Sequence, residues 1–173
     1  MVVICDKQYP SNSKYQSYFE LYPYSLSDFQ KYAIQAVIEK NHVLITAHTG
    51  SGKTLPAEFA IQHLVEQGKK VIYTSPIKAL SNQKYYEFTQ KYPAISFGLF
   101  TGDIKTNPEA DVLIMTTEIL MNYLFINGTA KSNDELTTNT LDFQIDIQND
   151  LGCVIFDEVH YINDSSRGHI WEE

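Results

Sequence analysis

Residues 43–54, which read Val-Leu-Ile-Thr-Ala-His-Thr-Gly-Ser-Gly-Lys-Thr, decide how the rest of the chain is interpreted. Residues 43–47 are a short apolar run that predicts a buried β-strand, and residues 53–66 have the spacing of a helix. A strand, a glycine turn and a helix that opens on Lys-Thr make up the P-loop arrangement, although Ala47 replaces the first glycine of the general pattern. The sequence therefore predicts a strand–turn–helix unit here.

The residue types of this turn suit the binding of phosphate groups. Gly50 and Gly52 can take positive φ angles, which let the backbone approach an anion closely. Backbone N–H groups of the turn and of the helix N-terminus would then point at the phosphates. Lys53 would add a positive charge, and the Thr54 hydroxyl could ligate Mg²⁺. The alternative is a glycine turn that carries a lysine by chance, and the flanking strand and helix argue against it.

The predicted phosphate-binding set covers the whole turn, in which His48 only fills a loop position. Its members are Ala47, His48, Thr49, Gly50, Ser51, Gly52, Lys53 and Thr54.

Outward from this unit, short apolar runs alternate with helical stretches. Further strands are predicted at residues 71–75, 95–100, 112–116 and 153–157, and further helices at residues 28–39, 79–91 and 117–125. Ser27 or Asp28 is the predicted cap of the helix at 28–39. Such alternation is typical of an α/β domain with a mostly parallel sheet and helices on both faces.

Two segments fit this pattern less well. Residues 1–18 are polar and rich in tyrosine, and we interpret them as an N-terminal arm that precedes a domain at 19–173. Residues 127–150 resemble an insertion loop, and within them residues 141–147 alternate apolar and acidic side chains as a short exposed strand does.

Composition limits the class of protein. A chain of 173 residues with 43% hydrophobic and 20% charged residues is typical of one globular domain. Cys5 and Cys153 lie far apart and have no metal-ligand spacing, which favours reduced thiols in an intracellular protein. The chain has no signal-peptide pattern and no apolar window long enough for a membrane span. The net charge of −8 argues against nucleic-acid binding by bulk electrostatics, so any such contact has to be local.

Asp157 and Glu158 follow the apolar run at 153–156, at the edge of a parallel sheet where ligands bind. Asp157 would supply a hard oxygen ligand to Mg²⁺, and Glu158 would act as the base toward an attacking water. An acidic pair can also be a solvated strand end, but the glycine turn upstream favours a metal site.

The motifs together resemble superfamily-two helicases. Those that carry the resemblance lie in the expected order at residues 47–54, 74–80, 101–103, 116–118 and 157–160. The stretch at 160–173, His-Tyr-Ile-Asn-Asp-Ser-Ser-Arg-Gly-His-Ile-Trp-Glu-Glu, is similar to the superkiller-type DExH helicases that feed RNA to the exosome. The resemblance spans residues 19–173. It implies the first RecA-like, P-loop domain of an ATP-dependent RNA helicase that steps 3′ to 5′.

The resemblance also implies roles for single residues, with ATP and Mg²⁺ as cofactors. Gln30 would read the adenine edge, with Tyr22 or Tyr24 near the base, although an exposed helix residue is an equal alternative for Gln30. The implied catalytic residues are Lys53, Asp157, Glu158 and His160, and the implied metal ligands are Thr54 and Asp157. His160 would link the nucleotide state to the neighbouring domain, or is simply a satisfied polar residue at a strand end.

The nucleic-acid contacts implied by the resemblance go mainly to the sugar–phosphate backbone, which suits an acidic chain and a motor indifferent to sequence. The implied residues are Pro76, Lys78, Ala79, Gly102, Asp103, Thr116 and Thr117. Implied partners are single-stranded RNA or DNA, a second RecA-like domain and an RNA-degradation complex, with no membrane.

Three departures and alternatives accompany this interpretation. The second RecA-like domain and its arginine finger are missing from the 173 residues, and Arg167 is expected to brace a loop, so this polypeptide alone should hydrolyse ATP poorly. A DNA helicase of the same superfamily and a non-catalytic nucleotide-binding fragment remain alternative interpretations.

The expected location is cytoplasmic or nuclear, and the abundance of Asn, Ile, Lys and Tyr hints at an AT-rich genome such as that of a large DNA virus.

Overall fold

The computed structural model describes residues 2–48, 50–129 and 145–163, with the backbone alone for residues 126–129 and 162–163. The chain divides into two compact units, Met1–Ile61 and Gln62–Glu173. We describe each unit by itself.

The first unit contains helix α2 (Asp28–Ile38), which follows the single turn α1 (Gln16–Phe19). Helix α3 (Thr54–Glu66) begins in this unit, and its last five residues belong to the second unit. Ser27, one of the two predicted caps, is the N-cap of α2, and its N–H donates to the Gln30 side-chain oxygen at 2.9 Å. The apolar side chains of this unit meet in one cluster, which is its core. The buried members are Tyr9, Tyr15, Phe19, Leu26, Ile34, Leu55 and Phe59.

Tyr9 and Tyr15 belong to the segment interpreted as an N-terminal arm, and both are buried. The Tyr9 hydroxyl donates to Gln35 Oε1 at 2.9 Å, and the Tyr9 N–H donates to Asp28 Oδ1 at 3.0 Å. The Tyr9 ring also meets Phe19 edge-on, with centroids 5.3 Å apart. Part of the segment therefore packs on α2, while the domain boundary after residue 18 stays a prediction.

The strand predicted at residues 43–47 is wrong for this structure. These residues are in no strand, and Val43 and Leu44 are 47% and 75% exposed. A β-strand exists only where its backbone N–H and C=O groups have a ladder partner. The sheet formed by the described residues does not include this segment, so its β-branched composition alone does not make it a strand.

The second unit contains a sheet of five strands in the order β3-β2-β4-β1-β5. The strands are β1 (Lys70–Ser75), β2 (Phe97–Phe100), β3 (Lys105–Thr106), β4 (Val112–Thr116) and β5 (Leu151–Phe156). All neighbouring pairs are parallel except β2 and β3, which form a short antiparallel hairpin. The mostly parallel sheet predicted from the alternating pattern is confirmed.

Helices α4 (Lys78–Lys91) and α5 (Thr117–Thr129) cover opposite faces of this sheet. Tyr73 of β1 packs edge-on against Phe88 of α4, with ring centroids 5.4 Å apart. Its neighbour Ile72 lies instead in a buried cluster with Leu120 and Tyr123 of α5. Because successive side chains of a strand point to opposite faces, the two helices lie on the two sides, as predicted.

The remaining predicted segments are recovered in part. The first residues of the predicted loop, 127–129, extend α5 instead, and residues 130–144 lie outside the described part of the chain. The possible strand at 141–147 falls on that boundary, and its described end, residues 145–147, is in no strand. A 3₁₀ helix, Val159–Asn163, follows β5. Within the described ranges no helix is long and apolar enough to cross a membrane.

Candidate functional site

The glycine turn before α3 has the backbone that the sequence predicts. Gly50 and Gly52 have φ angles of +82° and +84°, which only glycine adopts without strain. The Ser51 hydroxyl donates to the His48 carbonyl at 2.7 Å and closes the turn. Pro56 is buried in the first turn of α3, where its missing N–H costs little. The turn therefore ends at a helix N-terminus, whose free N–H groups favour an anion.

Lys53 lies at the end of this turn with an exposed side chain. Its ammonium group donates to the Ala47 carbonyl at 2.7 Å, so the lysine folds back across the turn. Thr54 is the first residue of α3 and is half-buried, while Thr49 lies outside the described residues. The turn thus places a positive charge and a hydroxyl next to each other at the helix N-terminus.

Gln30 joins α2 to the glycine turn. Its side chain is only 7% exposed, so the alternative of an exposed helix residue is wrong. Oε1 accepts from the Ser27 N–H at 2.9 Å, and Nε2 donates to the Gly52 carbonyl at 3.1 Å. These contacts use one donor and one acceptor of an amide that offers two of each. The remaining donor and acceptor match the hydrogen-bonding edge of adenine, and that role stays a prediction.

The two tyrosines predicted near the base differ in exposure. Tyr24 is 57% exposed, whereas Tyr22 is half-buried, and their ring centroids lie 6.0 Å apart. Burial raises the pKa of Tyr22 to about 12, and the negative charge of Glu58 adds to this rise. Tyr22 therefore stays neutral at physiological pH and offers a ring face and a hydroxyl donor.

In the second unit, Asp157 immediately follows β5 at the C-terminal edge of the sheet. Its N–H donates to the Thr74 carbonyl at 2.9 Å, which extends the β1–β5 ladder by one residue. Its Oδ2 accepts from the Tyr73 hydroxyl at 2.5 Å, and its Oδ1 accepts from the Glu158 N–H at 2.9 Å. Each carboxylate oxygen keeps lone pairs for a further ligand, so the group suits a divalent cation.

Glu158 and His160 contact each other beside Asp157. Glu158 has a φ of +55°, a strained conformation for a residue with a side chain. His160 Nδ1 lies 3.2 Å from Glu158 Oε2, and the two form an ion pair when the imidazole is protonated. The Tyr161 N–H donates to the Glu158 carbonyl at 3.1 Å. The contact agrees with a satisfied polar role for His160 and leaves its implied coupling role a prediction.

The residues implied to contact nucleic acid follow three parallel strands and therefore gather at one edge of the sheet. Pro76 comes directly after β1, Gly102 lies in the turn after β2, and Thr116 ends β4. Lys78, exposed like Ala79 beside it, forms an ion pair with Asp103. Two hydrogen bonds to Ser75 connect the residues next to this edge. Thr117 Oγ1 donates to the Ser75 carbonyl at 3.3 Å, and the Ser75 and Ser81 hydroxyls lie 2.7 Å apart.

Sequence reasoning missed Tyr73, which hydrogen-bonds Asp157, and Ser81, which hydrogen-bonds Ser75. A signal for Tyr73 exists, since a tyrosine inside a strand buried on both faces needs a partner for its hydroxyl. Ser81 gives no comparable signal, because a serine in a helix usually faces solvent. The described residues thus bring Gln30 to the glycine turn in the first unit, and Asp157, Glu158 and His160 together in the second.

Comparisons with known proteins agree with this geometry. Residues 27–173 match the DEAD/DEAH box helicase family. The chain is 41% identical over 169 residues to the antiviral helicase SKI2 of Saccharomyces cerevisiae, covering 94% of the chain and 12% of that protein. It is 43% identical over 152 residues to the human exosome RNA helicase MTR4, covering 88% of the chain and 13% of that protein.

A solved structure shares the fold. The SWI2/SNF2 ATPase core of Sulfolobus solfataricus, solved in complex with double-stranded DNA, superposes with a TM-score of 0.54 at 15% identity, over 83% of this chain and 27% of that one. This likeness supports a RecA-like fold. The chain spans about an eighth of the length of the curated relatives above.

Proposed function

Because the chain belongs to the DEAD/DEAH box helicase family, we propose that it is the ATP-binding domain of an ATP-dependent RNA helicase. The relatives named above include an exosome RNA helicase, at 43% identity. Since the chain covers only 12–13% of these relatives, the activity of the whole protein, its RNA substrate and its partners are part of the proposal. Unwinding from 3′ to 5′ is the direction we expect of the complete motor.

One observation carries the proposal: two left-handed glycines and Lys53 precede a helix of 13 residues that begins at Thr54. A helix N-terminus with a lysine beside it favours a phosphate chain, because N–H groups and a positive charge are then available to the same anion. Gln30 contacts the same turn and has amide groups to spare, which supports adenine as the base. The site therefore favours ATP over a simple phosphate ester.

Different side chains of this chain would take different roles in ATP hydrolysis. Lys53 would bind the β- and γ-phosphate oxygens, and Thr54 and Asp157 would hold Mg²⁺. Bound Mg²⁺ would neutralise the charge that develops on the phosphate oxygens during transfer. Glu158 would accept the proton of the attacking water, and His160 would hold the Glu158 carboxylate through their 3.2 Å contact.

The loops at the C-terminal edge of the second unit would bind the nucleic-acid backbone. Lys78 would supply a cation on leaving its ion pair with Asp103, and the start of α4 would supply free N–H groups. Thr116 and Thr117 are buried, and the Thr117 hydroxyl already donates to the Ser75 carbonyl, so a hydroxyl contact from either would need a local rearrangement. Such contacts follow the sugar–phosphate chain and do not read bases. They would allow a chain whose net charge is −8 to bind RNA.

The complete motor would need a second RecA-like domain, which supplies an arginine to the transferred phosphate. An arginine of this kind contributes about 10³–10⁵ in rate where it has been measured. The naming of one relative as an exosome helicase supports an RNA-degradation complex as the partner, and with it an intracellular location.

Two substitutions in the protein made from its complete coding sequence test the proposal. Lys53→Ala should weaken binding of a fluorescent ATP analogue by at least about tenfold, the effect of losing about 1.4 kcal/mol of contact. Glu158→Gln should bind the analogue as the wild type does and lose about 10²–10⁴-fold in ATP turnover, because only the proton acceptor is gone.

Stimulation of ATPase by single-stranded RNA and by single-stranded DNA of one sequence identifies the substrate. Greater stimulation by RNA supports the proposal, and greater stimulation by DNA favours the alternative of a DNA helicase. Wild-type turnover in Glu158→Gln would remove the role assigned to Glu158. An ATP analogue that fails to bind the wild-type protein would favour a chain without nucleotide function.

A further inference from the structure

Tyr73 lies inside the second unit, with its hydroxyl against a predicted metal ligand. It is the fourth residue of β1 and is 1% exposed. Its ring packs edge-on against Phe88 of α4, with centroids 5.4 Å apart and planes at 85°. Packing on all sides therefore fixes the ring, and the position of the hydroxyl follows from it.

The register of the sheet explains why this hydroxyl meets Asp157. Tyr73 is paired with Ile155 of β5, and Asp157 lies two residues farther along the same face. Two residues of a strand advance by about 6.6 Å. A tyrosine that leans along the strand spans that distance. The resulting separation of 2.5 Å between Tyr73 Oη and Asp157 Oδ2 suits a hydroxyl that donates to a carboxylate.

The Tyr73 hydroxyl donates to Asp157 from a ring that the surrounding side chains hold in place. Asp157 is held at both oxygens, by Tyr73 and by the Glu158 N–H at 2.9 Å, so its carboxylate plane is fixed.

We propose that Tyr73 is a positioning residue for the metal site, whose hydroxyl holds the Asp157 carboxylate in the orientation that binds Mg²⁺. This inference rests on the proposed role of Asp157 as a metal ligand. Hydrogen-bond partners of metal-binding carboxylates typically contribute 10–100-fold in metal affinity or activity, and Tyr73 should contribute in that range.

Tyr73→Phe tests the inference in the protein made from its complete coding sequence, because it keeps the ring against Phe88 and removes only the donor. The Mg²⁺ concentration for half-maximal ATPase should rise by about 10–100-fold. Saturating Mg²⁺ should restore most of the turnover, since ATP contacts are intact. Binding of a methylanthraniloyl-ATP probe in the presence of EDTA should match the wild type.

Tyr123→Phe is the matched control. The Tyr123 hydroxyl is also buried in the second unit, where it donates to the Ile145 carbonyl at 2.8 Å and accepts from the Ile145 N–H at 3.0 Å. This variant should lower the thermal unfolding midpoint without moving the Mg²⁺ titration. A Tyr73→Phe variant whose Mg²⁺ titration coincides with that of Tyr123→Phe would overturn the inference.

Asp157→Asn separates this inference from the proposed function. If Asp157→Asn weakens the Mg²⁺ response while Tyr73→Phe does not, the role of Tyr73 fails and the proposed function stands. If Asp157→Asn also leaves the Mg²⁺ titration at its wild-type position, the metal site assigned to Asp157 is wrong and both conclusions fall.

Discussion

At the scale of single residues, the two glycines of the turn face different demands. Gly50 has a φ of +82° and would meet nothing within 4 Å if it carried a Cβ. Gly52 has a φ of +84°, and a Cβ there would lie 2.6 Å from Gln30 Nε2. The first glycine is needed for its conformation alone, whereas the second also leaves room for the amide that hydrogen-bonds its carbonyl.

Alanine at each position should separate these two demands. Gly50→Ala is expected to lower the free energy of unfolding by about 1–2 kcal/mol, the cost of a left-handed residue with a side chain. Gly52→Ala should lower it by about 1 kcal/mol more, because Gln30 has to give up its hydrogen bond. Urea unfolding of the two variants measures the difference.

Gln30→Ala in each alanine background completes the cycle. The extra loss at Gly52 should disappear once the glutamine is gone, since the two residues are in direct contact. Equal losses in Gly50→Ala and Gly52→Ala, with Gln30 present, would contradict the close fit between Gln30 and the turn.

At the scale of the element, α2 is stabilised by aromatic side chains that come from outside any long helix. Tyr9 supplies a buried ring, a hydrogen bond to Gln35 and a backbone hydrogen bond to Asp28. Such contacts explain why a polar, tyrosine-rich segment packs on the helix. Its polarity predicts solvent exposure, but each tyrosine presents an apolar body to the core and a hydroxyl to a polar partner.

Tyr9→Ala should therefore destabilise the first unit by about 3–5 kcal/mol, the usual cost of removing a buried aromatic side chain. Tyr24→Ala is the matched control, because Tyr24 is 57% exposed and its loss should cost no more than about 0.5 kcal/mol. Denaturant unfolding gives both values. A loss in Tyr9→Ala as small as that in Tyr24→Ala would show that the N-terminal segment does not support α2.

The sequence predicts the elements well where both faces are buried. Strand β4 has its predicted bounds, Val112–Thr116, and every one of its residues is buried. The two-residue strand β3 is too short to give a periodic signal, and residues 43–47 have a strand's composition without a strand's partner. The composition of a segment shows whether it would fit in a β-sheet. Whether it pairs with another strand depends on residues far away in the chain.

The candidate site also has parts that the sequence predicts and parts that it does not. The glycine turn and the acidic pair could be predicted because each consists of consecutive residues. The contact between Tyr73 and Asp157 joins residues 84 apart and exists only because β1 and β5 are neighbours in a specific register. Gln30 is similar, since its contact with Gly52 depends on how α2 packs.

At the scale of the whole molecule, protons retained by the partly buried side chains of Cys153 and Tyr22 couple the free energy of unfolding to alkaline pH. Burial raises the pKa of Cys153 to about 12 from an ordinary value of 9.0, and Tyr22 rises to about 12 from 10.0. The folded chain therefore keeps protons that the unfolded chain loses between about pH 9 and pH 12. The stabilisation is complete below pH 9 and is lost as the pH rises through 12.

The free energy of unfolding should accordingly fall between pH 9 and pH 11, by at most about 1.4 kcal/mol per pH unit for Cys153 and by less for the half-exposed Tyr22. Urea unfolding at pH 8, 9.5 and 11 measures the slope. Cys153→Ala should reduce the slope without abolishing it. A stability that is constant or rises over this interval would contradict the prediction.

The exposed run at residues 43–47 has a consequence for how the polypeptide behaves in concentrated solution. Val43 and Leu44 expose apolar side chains in a segment that belongs to no strand, and such a segment is a template on which another copy can build a ladder. Any preparation in which this stretch stays uncovered will tend to self-associate through it, and solubility will then depend on whatever shields those five residues.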